Sequence, residues 1–291
     1  MRGGAGRGLS LRPATLAEAP AGAPPATFVW TYAGLFGRPA AYQVLDGDRP
    51  VAWICGVGGA VRGHGFEALP ERFYGLLPDE GATLDLDALR AALARSGVTS
   101  RVQCAPGGDY RAADLSAFHR LDTYLVAAAS PDQAYQGMAR VGRQGVRKAE
   151  RSGVTVARRP LAAALAAFHA LHAAKCERHG SPVMPETLFG RIADAFGERA
   201  EVFLAEHGGR PVAAALVVRE GAYAIFADGS SLAEAWRVCP NNLTVWTAAR
   251  SCLERGARLL DYGITLPGDA GGHRFKAHLG GVRTPVYEVT T

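Results

Sequence analysis

Tyr42–Gly59 reads YQVLDGDRPVAWICGVGG and Val202–Gly221 reads VFLAEHGGRPVAAALVVREG. In both, an apolar run meets a polar turn with glycine and re-emerges as Arg-Pro-Val-Ala. Arg49-Pro50-Val51-Ala52 and Arg210-Pro211-Val212-Ala213 coincide at a shift of 161 residues in a chain of 291. Two apolar strands joined by a short glycine turn read as a β-hairpin. A hairpin repeated about half a chain apart predicts two similar units, and this length suits two domains.

The patterns between the hairpins alternate as in α/β or α+β units. The first half predicts strands near Tyr42–Leu45, Val51–Val57, Thr99–Cys104 and Thr123–Ala127. A glycine-rich loop (GVGGAVRGHG) and a helix over Leu86–Ser96 lie among them. The second half predicts helices over Pro160–His179, Pro185–Phe196 and Asn242–Arg255. Its strands fall at the hairpin, Tyr223–Phe226 and Leu259–Tyr262, and GGHRFKAHLGG (Gly271–Gly281) reads as a closing loop that leads into a last strand. The expected domains are 26–150 and 151–291.

Residues 1–25, rich in Arg, Gly, Ala and Pro without a continuous apolar segment, predict a disordered arm and no signal peptide. No run approaches the length of a membrane span, so a cytoplasmic chain is expected. Five scattered cysteines without a CxxC pair give neither a disulfide framework nor a cysteine zinc site. His169, His172, Cys176 and His179 share one helix face but extend over about 15 Å of axis, too far for one tetrahedral ion. They read instead as packing beside Leu165 and Phe168 or lining a cleft. No metal and no cofactor is expected.

The formal charge is +5. Part of the excess is concentrated between the halves, where Arg140, Arg143, Arg147 and Arg151 fall within roughly 80° on a helix, opposite Tyr135, Met138, Val146 and Ala149. Lys148 borders this stripe and Gly153 is a suitable C-cap. The stripe reads either as a solvated face or as a set of guanidiniums for phosphate.

The run Arg147-Lys148-Ala149-Glu150-Arg151-Ser152-Gly153-Val154 is followed by Phe168-His169-Ala170-Leu171-His172 and Arg178-His179-Gly180. Then come Gly229-Ser230-Ser231, Pro240-Asn241-Asn242-Leu243, Trp246, Glu254-Arg255-Gly256, Leu260-Asp261-Tyr262-Gly263 and Phe275-Lys276. This ordered series is similar to the FemAB-like family of tandem GNAT-fold aminoacyltransferases. The resemblance implies an α+β (α/β) fold of two GNAT-like domains, each a mixed central sheet flanked by helices. It also implies a peptidoglycan-bridge type of activity: aminoacyl-tRNA as donor and the amine of a small peptide or peptidyl acceptor, nucleotide-linked or carrier-bound, as the other partner. A peptide-antibiotic intermediate and a cell-wall precursor both fit that acceptor.

Such transfer needs a stabilised oxyanion and good positioning but no serine or cysteine nucleophile. By the resemblance, Lys276 faces the reacting carbonyl. Asp228 and Asp261 lie near strand ends, and either carboxylate is able to bind the substrate amine or take its proton. Arg143, Arg147 and Lys148 are the phosphate-binding candidates. Ser230, Asn242, Tyr262, Arg274 and Phe275 are the other substrate-binding candidates. Acyl-CoA usually sits on a glycine loop of the form Arg or Gln-x-x-Gly-x-Gly or Ala, and RVGRQGV has the wrong spacing. Transfer from acyl-CoA or a carrier-protein thioester is the first alternative, and a non-catalytic RNA-binding protein on the same scaffold is the second.

Overall fold

The computed structural model describes residues 8–18, 26–61, 64–68, 74–97 and 99–291. Two compact units emerge: Met1–Asp122 with Thr284–Thr291, and Thr123–Arg283. The division differs from the expected one at 150/151. It falls inside a strand, and the last residues of the chain return to the first unit, which no local signal marks.

In chain order the first unit holds β1 (Leu9–Ala14), α1 (Ala26–Phe36), β2 (Arg38–Asp46), β3 (Arg49–Val61), β4 (His64–Ala68), β5 (Leu76–Pro78), β6 (Thr83–Asp85), α2 (Leu86–Arg95), β7 (Ser100–Gln103) and β8 (Asp109–Arg111). β1, β2, β3 and β4 pair antiparallel in that order, and β4 pairs parallel with β7. The chain's last strand, Val282–Thr290, adds antiparallel to β7 through Glu288↔Gln103. Helix α2 starts at Asp85, whose carboxylate accepts from Ala88 N at 3.0 Å. Its Leu86, Leu89 and Leu93 pack with Val44, Ile54 and Val102 of the sheet.

Strand β9 (His119–Ala127) carries the chain across the boundary. The second unit follows with α3 (Pro131–Gly137), α4 (Arg140–Arg151), β10 (Thr155–Pro160), α5 (Leu161–His179), α6 (Glu186–Phe196), β11 (Ala200–His207), β12 (Arg210–Glu220), β13 (Tyr223–Ser231), α7 (Pro240–Glu254), β14 (Leu259–Asp261), α8 (Ala270–His278) and β15, the Val282–Thr290 strand already described. β10, β11, β12 and β13 pair antiparallel in order, β13 pairs parallel with β14, and β9 adds antiparallel to β14. Both units thus share one plan: three antiparallel junctions, one parallel junction, and an antiparallel sixth strand. Both are mixed sheets flanked by helices, as the α/β expectation requires.

The repeated hairpins match in detail. Each turns over two residues, Asp46↔Arg49 and His207↔Arg210, with Gly47, Gly208 and Gly209 at positive φ. Each also shifts register at the valine: Val44↔Ala52 precedes Leu45↔Pro50, and Ala205↔Ala213 precedes Glu206↔Pro211. Proline offers no N–H to a ladder, so it is tolerated where a bulge interrupts pairing.

Several expectations are corrected. Residues 9–14 of the expected disordered arm form β1; residues 1–7 and 19–25 lie outside the described ones. The expected glycine-rich loop is largely strand, since β3 runs to Val61. The stretch Gly271–Gly281 is mostly helix α8, because Asp269 caps it by accepting from Gly272 N at 2.8 Å. The basic helix is broken at Met138–Ala139, where Met138 is extended (ψ 143°). Its glycines are packing sites: a Cβ at Gly142 would lie 2.1 Å from His278 O, and one at Gly145 would lie 2.6 Å from the Asn242 amide. Only glycine lets α4 approach α7 and α8 so closely.

Candidate active site

In the second unit, β13 pairs with β14 only as far as Ile225↔Asp261, yet β13 continues to Ser231. Two parallel strand ends therefore cease pairing side by side, a location where α/β sheets place ligands. Against β12, β13 also carries a bulge: Val217↔Phe226 is followed by Leu216↔Asp228, which leaves Ala227 extra. Phe226 packs in the core with Leu243 and Ala248 of α7. In an unbroken strand Asp228 would share that side; the bulge turns it to the opposite face, beneath α5.

Two α5 side chains meet it there. Asp228 Oδ2 lies 2.6 Å from His172 Nδ1, and Oδ1 accepts from Lys175 Nζ. His172 Nε2 accepts from Met184 N at 3.2 Å, which places the ring proton on Nδ1, donating to Asp228. Cys176 Sγ also lies 3.4 Å from Nε2. His172 and Asp228 are buried, and Lys175 marks the more open edge. Ser230, two residues on and on the same face, is buried with no partner for its hydroxyl, as is Thr265 beyond β14.

Asp261 is fully buried at the end of β14. It accepts from Thr123 Oγ1 at 2.5 Å, Tyr223 OH at 2.8 Å and Gly263 N at 2.8 Å. The last bond fixes the turn whose carbonyls hold Lys276: its Nζ donates to Gly263 O at 2.7 Å and Ile264 O at 3.0 Å. Burial pushes the Lys276 pKa down to about 8; Asp261 and Asp269 oppose the shift and Lys175 adds to it. An ammonium has three N–H donors, so one remains beyond the two carbonyls.

Lys276, Asp261, Asp228 and Ser230 thus lie on one strand-end region. The other candidates lie elsewhere or have other tasks. Arg143 donates to Gln136 O at 3.1 Å and to Met138 O, bracing the break between α3 and α4 instead of presenting a free guanidinium. Arg147 and Lys148 are exposed on α4. Asn242 lies against Gly145, and Tyr262 is buried edge-on to Phe226, its hydroxyl 3.4 Å from Leu279 O; burial pushes its pKa well up. Phe275 packs against the core, its carbonyl accepting from Leu279 N, and Arg274 is exposed on α8. Lys175 and His172 are the residues sequence reasoning missed as a pair; their i, i+3 spacing on α5 was the available signal. Among the described residues no group of three or more metal-ligating side chains converges.

Residues 136–277 match the family model described as an acetyltransferase (GNAT) domain. Among solved structures, FemX is similar with 15% identity, a TM-score of 0.61, and 97% of each chain covered. A conserved protein of unknown function from Bacteroides thetaiotaomicron follows the same path at 11% identity and TM-score 0.57, covering 96% of this chain and 98% of that one. L-PGS from Bacillus licheniformis does so at 11% and 0.52, covering 89% and 86%. No curated protein sequence matches. The chain therefore has the FemX-like tandem GNAT fold.

Proposed function

We propose that the chain is an acyl-group transferase of the FemX-like kind, moving an aminoacyl group from tRNA to the amine of a small peptide or peptide-like acceptor in the cytoplasm. The observation that carries this reading is Lys276: a cation pinned by two carbonyls, desolvated, with a donor to offer where two parallel strands stop pairing. In the reaction the acceptor nitrogen bonds to the ester carbon and the carbonyl oxygen becomes an oxyanion facing the Lys276 ammonium. The carbon–oxygen bond to the ribose then breaks. Both aspartates are already engaged by protein donors, so the proton lost by the amine passes to the departing ribose oxygen.

Asp261 acts through the turn it holds, and Asp228 fixes Lys175 at the site's edge. The unpartnered Ser230 hydroxyl supplies a hydrogen bond to the bound aminoacyl group. Arg147 and Lys148, exposed on α4, meet the tRNA backbone, which makes affinity fall with salt. The test is a side-by-side assay of purified aminoacyl-tRNA and acetyl-CoA with candidate amines. Amide product from aminoacyl-tRNA alone is expected. Product from acetyl-CoA alone would replace the donor, and tRNA binding without any product would leave a non-catalytic binder.

A further inference from the structure

A concavity of the same unit shares no residue with the Lys276 region. It is a cavity of about 400 Å³ between α3, α4 and α7. Tyr135 and Trp246 form its aromatic corner, ring centroids 4.9 Å apart and planes tilted by 51°. Val146 closes the bottom. Three carboxylates stand around it, Asp132, Glu150 and Glu254, against one guanidinium, Arg250.

The charges are not mutually neutralised. Arg250 reaches Glu254 only at 3.9 Å, both exposed, a pairing worth little. Among the described residues Asp132 and Glu150 have no ion pair. In a chain of net charge +5 this is a local acidic site with an aromatic wall. The faces of tyrosine and tryptophan attract cations, and more strongly when the cation is partly desolvated. An anionic ligand is repelled by the two unpaired carboxylates, and a neutral one gains no charge attraction from them.

We propose that this cavity binds an alkylammonium group, laid against Trp246 and Tyr135 with Asp132 and Glu150 beside it. This proposal does not depend on the transferase reading.

The test is a ligand-observed NMR titration of the full chain with choline and with its uncharged carbon isostere, 3,3-dimethyl-1-butanol. Choline is expected to bind about fivefold or more tightly than the isostere. That preference should vanish in the double variant Asp132→Asn, Glu150→Gln, two exposed positions whose change leaves the core alone. Trp246→Ala should abolish choline binding, and Trp246→Phe should retain part of it if the loss reflects the ring and not the fold. Equal binding of choline and isostere, or a choline preference unchanged in the double variant, would overturn the assignment.

Discussion

In the first unit the helix that follows the opening strand is α1, ATFVWTYAGLF, without a charged residue. Its Trp30 ring lies 6.5 Å from that of Trp53 on β3. In the second unit the helix in the same place is α5, which brings His172 and Lys175 onto Asp228 of the sheet. The strand plans are alike and the hairpins carry the same bulge, so strand order and hairpin geometry do not make the difference. What differs is the chemistry of the helix laid on the sheet and of the parallel strand's end. A buried acid of the first unit, Glu288, accepts from Arg101 Nε at 2.9 Å and Gln103 Nε2 at 3.2 Å, fastening β15 to β7. Two buried acids of the second unit, Asp228 and Asp261, stand where strands part, in the region of a lysine held at low pKa.

The largest effect expected from testing that contrast is on stability. Asp228→Ala leaves Lys175 and His172 without their carboxylate, and a broken buried charge pair costs about 3–5 kcal/mol by denaturant unfolding. Lys276→Ala should lower transfer about 100-fold, while Glu288→Gln, its comparison in the first unit, should leave the rate per folded molecule unchanged. Equal losses from the two changes would erase the distinction between the units. Gly142→Ala forces a Cβ into the His278 carbonyl and should cost about 1–3 kcal/mol. The smallest effect sharpens the likeness: Gly47→Ala and Gly208→Ala, at φ 63° and 60°, should each cost about 1 kcal/mol and by similar amounts.

These hairpins were legible because a two-residue glycine turn between apolar runs is a local instruction. So was α2, with its Asp85 cap and leucines at helical spacing. Strand β1 was not: LSLRPA is short, ends in Pro-Ala, lies in an Arg/Gly/Pro-rich stretch, and takes its conformation from β2. Helix α8 was hidden by Gly271-Gly272, which read as a turn although Asp269 caps them. At the site, Lys276 was singled out through the resemblance to a family, and Asp228 and Asp261 by their places near strand ends. The Asp228 partners were not, because the extra residue Ala227 decides which face the carboxylate takes, and a bulge of that kind has no signature in the sequence alone.

The most direct test of a charged Lys276 at work is the pH dependence of aminoacyl transfer. Folding lowers this pKa from 10.5 to about 8, so the part-buried ammonium costs stability in full below about pH 8. That cost lifts as the pH rises toward 10.5, and the Tm advantage of Lys276→Met over wild type should narrow in the same window. An oxyanion stabiliser must carry its proton. Initial transfer rates of the wild type should therefore fall above about pH 8, and Lys276→Arg, which keeps its charge, should show no such fall. A rate that rises through pH 8, or the same descending limb in both proteins, would contradict a cationic role for Lys276.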